Sequence, residues 1–249
     1  MKQIKKYLAI FSAFILLYLV FLVNLAPANK LLSRVDLPTG VSLHGISGSI
    51  FSGKAQTLTI NQLSIENVNW SVSYFSLITL NPKVTVNIGN NLASISGRLE
   101  LSNLTSGLTV SNADIKVDAN EVIGQLNLPI DINAAGQIHL TMAEFAMGKP
   151  ICAVAQGAIS WPNASVNAME ENVELGTLKA LLSCEKGSLN ITIDPKNDLG
   201  LELTAYVVSK SRIKANGYLT PGDKFPENLK PVLGFIGNKD RQGRYKISL

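Results

Sequence analysis

The residues in this chain that could do chemistry are few. Acid–base catalysis draws most often on histidine, and the sequence holds two, His44 and His139. His139 alternates with Ile138 and Leu140, the pattern of a strand whose ring points outward or is hydrogen-bonded. His44 sits in the glycine-rich stretch Leu43-His44-Gly45-Ile46-Ser47-Gly48, with no carboxylate or cysteine beside it. The run Gly45-Ile46-Ser47-Gly48-Ser49 lacks the G-x-S-x-G spacing that exposes a nucleophilic serine on a strand–helix turn. No G-x-G-x-x-G or Gly-Lys-Ser/Thr loop is present to cradle phosphate. Glu170, Glu171 and Glu174 form the one carboxylate cluster, and without metal-loop spacing or a second group of oxygens it reads as a solvated loop. These patterns predict no catalytic residue, no cofactor and no metal site.

Two cysteines, Cys152 and Cys184, complete the reactive inventory. A redox or metal pair is the functional alternative, but there is no C-x-x-C spacing and no neighbouring histidine. Both lie in the part of the chain expected to be exported, where an oxidising compartment favours a structural disulfide. Trp70, in Val68-Asn69-Trp70-Ser71-Val72, and Trp161, in Ile159-Ser160-Trp161, are expected in strands. Core or sheet-edge packing is their first reading, and contact with a partner the second.

The elements that must carry these residues begin with an apolar run over 7–25, YLAIFSAFILLYLVFLVNL, about as long as a bilayer core is thick. Lys2, Lys5 and Lys6 precede it, so the positive-inside bias puts residues 1–6 in the cytoplasm and the remainder beyond the inner membrane. The spacing Ala26-Pro27-Ala28 leaves open a signal peptide cleaved after Ala28. The length of the run and Pro27 favour an uncleaved anchor. Residues 26–40 read as a membrane-proximal connector and 41–249 as a periplasmic domain.

Beyond residue 40 the dominant period is two. Val84, Val86 and Ile88 alternate with Thr85 and Asn87, and Leu189, Ile191 and Ile193 with Asn190 and Thr192, so each strand has one face to bury. Glycines open several strands, at Gly97, Gly136, Gly157, Gly187 and Gly243, and suit turns or bulges that bend a sheet. The reading is all-β: a long curved antiparallel meander, with a weakly marked division into two sub-sheets near residue 135. One or two short helices are expected. One spans Asp118 to Leu128, capped by Asp118 and ended before Pro129; the other starts at Pro226 and runs through Leu229, Val232 and Leu233. Charged residues make up only 16% of the 249 residues and the net charge of +4 is dispersed, which is no nucleic-acid signature.

The ordered set of short motifs resembles the type II secretion system protein N family, also called general secretion pathway protein N. After the anchor come Leu43-His44-Gly45-Ile46-Ser47-Gly48-Ser49-Ile50-Phe51-Ser52-Gly53-Lys54-Ala55 and Val68-Asn69-Trp70. Cys152-Ala153-Val154-Ala155-Gln156-Gly157, Ile159-Ser160-Trp161, Leu175-Gly176, Leu182-Ser183-Cys184 and Arg241-Gln242-Gly243-Arg244-Tyr245 follow, so the resemblance covers nearly the whole chain. It implies a single-pass inner-membrane component of the machinery that exports folded proteins across the outer membrane. The implied role is accessory assembly or scaffolding without catalysis, and the implied partners are other machinery subunits. A β-rich domain with open edges can bind them by sheet augmentation. An alternative comes from the residues themselves: a long coiled sheet with one apolar face can form a groove for acyl chains, as in an envelope lipid-binding or lipid-transfer protein.

Overall fold

The computed structural model describes residues 6–7, 10–15, 18, 26–32 and 40–248, except 62, 91, 105–106, 126–131, 169–170, 210–211, 232 and 237–238. Most of the predicted anchor over 7–25 therefore lies outside the described residues. Tyr7, residues 10–15 and Tyr18 are described and helical. Among the described residues no helix is long and apolar enough to cross a membrane.

A short helix, α1 (Ala28–Leu32), leads to fifteen strands: β1 (Val41–His44), β2 (Ser47–Gly48), β3 (Ser52–Ile60), β4 (Leu63–Val72), β5 (Val84–Ile88), β6 (Ile95–Ser102), β7 (Thr109–Asp118), β8 (Ile132–Ala135), β9 (Gln137–Met147), β10 (Cys152–Ala168), β11 (Glu171–Glu185), β12 (Ser188–Ile193), β13 (Leu201–Ser209), β14 (Arg212–Leu219) and β15 (Tyr245–Ser248). Helix α2 (Tyr74–Ile78) joins β4 to β5, and α3 (Ala119–Ile123) follows β7. A 3₁₀ turn (Glu227–Leu229) and α4 (Leu233–Ile236) precede β15.

Among the described residues all fifteen strands belong to one sheet in near-sequential order, β1-β3-β4-β5-β6-β7-β9-β10-β11-β12-β13-β14-β15, with β2 beside β3 and β8 beside β10. Every pairing is antiparallel. The expected division near residue 135 is not there. The long strands β7 and β9 pair from Thr109↔Ala146 to Asp118↔Gln137, and this ladder carries the sheet through the point where a break was expected. Only the buried core falls into two clusters, one around Ile65, Val68, Ile88 and Ile95 and the other around Ala164, Val173, Leu175 and Leu219.

Because cross-strand partners in a pleated sheet share a face, the registers sort side chains into rows. Ile88, Gly97, Ile115, Leu140, Ile159, Ala180 and Ile193 succeed one another from β5 to β12. One residue along, Asn87, Arg98, Asp114, Thr141, Ala158, Leu181, Thr192 and Thr204 form the opposite row. The inner face is apolar and the outer face mostly polar.

The alternation is interrupted where asparagine takes the left-handed conformation its short polar side chain tolerates. Asn112 (φ 49°) and Asn163 (φ 48°) lie where the β6–β7 and β10–β11 registers shift. Such bulges bend and twist strands. Of the helix predicted at 118–128, Ala119–Ile123 is helical and 126–128 lie outside the described residues; Asp118 holds the cap position but makes no capping bond, and its carboxylate instead accepts from Gln137 Nε2 at 3.4 Å. Pro226 precedes the 3₁₀ turn as its cap and does not open a helix. The carboxylate stretch is also not a loop. Glu171 opens β11 and Glu174 lies within it, exposed and paired with Ser165; Glu170 is outside the described residues.

Cys152, at the start of β10, is bonded to Cys184, near the end of β11, with Cα atoms 6.1 Å apart. The bond closes a loop 32 residues apart in sequence, which on the chain-entropy account stabilises the fold by about 3 to 4 kcal/mol. The double variant Cys152→Ala/Cys184→Ala is expected to lose roughly that amount, read as a lower urea midpoint. Dithiothreitol should lower the midpoint of the parent and leave that of the variant unchanged.

Candidate functional site

The Leu43–Ala55 motif is a folding device. The chain turns at Gly45, forms β2 and turns again at Gly48, where Ser49 Oγ accepts from the Ser52 amide at 3.1 Å. Trp70 then crosses from β4. Its Nε1 donates to the Ile50 carbonyl at 2.9 Å, and its ring lies over Gly53, whose missing Cβ would stand 2.4 Å from the indole. Only glycine allows that approach. The second tryptophan repeats the arrangement: Trp161 Nε1 donates to the Ala135 carbonyl at 3.0 Å beside Gly136, which has φ 89°. Each indole covers a glycine turn and fixes it through its one polar atom, and both rings are half-buried.

The other singled-out residues do not converge. His44 is exposed at the end of β1, and His139 is half-buried on β9, paired with Lys116 and Ser160, with five strands between β1 and β9 in the sheet order. Among the described residues no three His, Cys, Asp or Glu side chains are grouped to hold a metal. Near the C-terminus Asp240 accepts from the Arg244 amide and Nε, both at 2.9 Å, and from the Gln242 amide at 2.8 Å. The Arg244 amide is the main cause holding the Asp240 carboxyl below its usual range. The Arg244 guanidinium stacks 4.0 Å over Tyr218. The Arg241–Tyr245 motif thus builds the turn that delivers β15 to the sheet.

What the structure adds is a groove of about 760 Å³ on the inner face of β1 and β3 to β7. Its walls include Leu58, Val68, Val86, Leu99, Val110 and Ile115, and every described residue that lines it is apolar. The one side-chain hydrogen-bond donor among them, Trp70 Nε1, is spent on Ile50. At the other end of the sheet the inner face is covered. Phe225, Leu229 and Leu233, from the stretch between β14 and β15, pack on Ala164, Val173, Leu175, Leu219 and Tyr245. The alternation at Val84, Val86 and Ile88 marks an apolar face in the sequence. It carries no sign that this part of the face stays open.

At position 53 a methyl group would collide with Trp70 and also stand 2.8 Å from the Ser49 carbonyl. Gly53→Ala is expected to cost about 1 to 3 kcal/mol as an overpacked site and to shift Trp70 emission. Trp70→Phe, which loses the bond to Ile50, should cost about 1 kcal/mol from that bond alone. Urea unfolding of each variant checks both.

Comparison with known proteins completes the picture. The sequence model of the family described as Type II secretion system (T2SS), protein N matches residues 39–248. Three curated relatives carry the name Type II secretion system protein N. The one from Vibrio cholerae is 26% identical over 224 residues, covering 89% of each chain. The one from Aeromonas hydrophila is 26% identical over 254 residues, 98% of this chain and 97% of its own. The one from Pectobacterium carotovorum is 25% identical over 232 residues, 93% and 91% of the two chains. No solved structure matches the chain.

Proposed function

From the chain's membership of the type II secretion system protein N family, which makes it a component of that machinery, we propose a single-pass inner-membrane protein that scaffolds or assists assembly of the apparatus exporting folded proteins across the outer membrane. Residues 1–6 lie in the cytoplasm on this reading, 7–25 span the bilayer, 26–40 connect, and 41–249 form the periplasmic domain, with no catalytic residue. The observation that carries it is the coincidence of the family match, 39–248, with the whole sheet, Val41–Ser248. The part shared with the family is the sheet, edges included.

Among the described residues the sheet order ends in β1, paired with β3, and in β15, paired with β14, where Tyr245 also bridges to Lys239 and the rest of the strand has no second partner. Such edges present unpaired backbone groups that a partner strand can extend. We place the contacts with other periplasmic and inner-membrane machinery subunits there, and at the ring surfaces that Trp70 and Trp161 leave open. The two ends differ in chemistry. Tyr245, on β15, is buried against the inner cluster, whereas β1 is half-exposed and ends at His44.

Deleting the gene is expected to abolish or strongly reduce secretion of the machinery's cargo, with restoration by the full chain. Photo-crosslinkers at Ser42 and Lys246 should capture machinery subunits in intact cells. Unchanged secretion together with no captured subunit would overturn the proposal.

A further inference from the structure

The end of the sheet where the chain arrives from residues 7–25 differs from the other surfaces. Pro27 bridges to Ser49, one residue before Ile50, and Leu32 of α1 and Ile50 both line the groove. The loops at this end are 27–32, 45–51, 73–83 and 103–108, since Ser52 pairs with Ser71, Val72 with Val84, Val84 with Leu101 and Ser102 with Thr109. They expose large apolar side chains: Phe75 is 84% and Leu80 92% accessible, and Tyr74, stacked on Phe51, is 58% accessible. Lys30 and Lys83 lie in these loops, and among their described residues there is no Asp or Glu. Apolar side chains among lysines and no carboxylates suit an anionic bilayer interface.

Leu77 and Pro82 belong to the loop that bears Phe75 and Leu80, and both line the groove. The groove therefore opens among the side chains suited to the membrane surface. Its volume of about 760 Å³ falls in the range of roughly 300 to 1,000 Å³ typical of small-molecule sites. The chain's own apolar run spans the bilayer on the reading above and is not available to fill it. The walls offer no free polar side-chain atom to orient a peptide or a polar metabolite. A flexible hydrocarbon chain needs none, because area alone holds it.

We propose that the groove takes the acyl chains of an anionic phospholipid, admitted from the bilayer between α1 and the 73–83 loop, with the headgroup left near Lys30 and Lys83. This rests on the reading of 7–25 as a membrane anchor, which sets the groove mouth at the bilayer surface. The protein then holds lipid where it meets the membrane and leaves its edge strands for partners.

The test uses the full chain in its own membranes, with benzoylphenylalanine in place of Val86 inside the groove or Asn87 on the outer face. After illumination, mass spectrometry of the carbonate-washed membrane fraction should find a phospholipid adduct at Val86 and none at Asn87. In a Phe75→Asp/Leu80→Asp background, whose substitutions are at exposed positions, the Val86 adduct should fall about tenfold or more as two apolar side chains lose their bilayer contact. A chain retained in the carbonate pellet with no Val86 lipid adduct, or whose Val86 adduct is a polypeptide, a second copy included, overturns the groove proposal and leaves the anchor standing. An adduct unaffected by the two aspartates overturns the entry route. A chain released by carbonate overturns the anchor, and with it this inference.

Discussion

The constraint on which the rest of the structure depends is the phase of the pleat. In an antiparallel sheet each side chain shares a face with its cross-strand partners, so one register fixes the next. Here the phase is held from β5 to β12, and Ile88 and Ile193 belong to the same inner row although seven strands carry it. A sheet so long commits the chain to a large apolar face, and its area must be covered or left to meet something other than water.

The two halves resolve that demand differently. Toward the C-terminus the stretch between β14 and β15 folds back over the face, and Phe225 and Leu233 are almost wholly buried by it, at 4% and 7% accessible. The Asp240–Arg244 turn then returns the chain as β15. Toward the N-terminus no described segment plays that part, and the groove lies open. The disulfide fastens β10 to β11 at the end of these strands away from the buried Ala164 and Val173. The groove depends instead on β-ladders and on the Trp70–Ile50 bond at its rim.

The chemistry agrees with this architecture. The residues most capable of reaction are placed apart: His44 and His139 on distant strands, the cysteines consumed in a bond, the glutamates of β11 along a strand. The motifs that carry the family resemblance build the fold. Leu43–Ala55 and Val68–Trp70 make one tryptophan-covered turn, Ile159–Trp161 supplies a second, and Arg241–Tyr245 shapes the last.

The sequence by itself determined the strand-rich class, the antiparallel meander and the cysteine pairing, because period-two alternation and cysteine context are local signals that survive without coordinates. It also carried the family, through the order of short motifs. It misjudged the division near residue 135 and the glutamate stretch, because strand pairing decides both, across β7 and β9 in the one and within the β10–β11 hairpin in the other, and overrides local preference. The groove was legible only as an apolar face at Val84, Val86 and Ile88. Whether that face is covered depends on where a segment more than a hundred residues away in the chain comes to rest. The stretch between β14 and β15 packs on the C-terminal half of the inner face, so only the tertiary structure could decide that no described segment covers the other half.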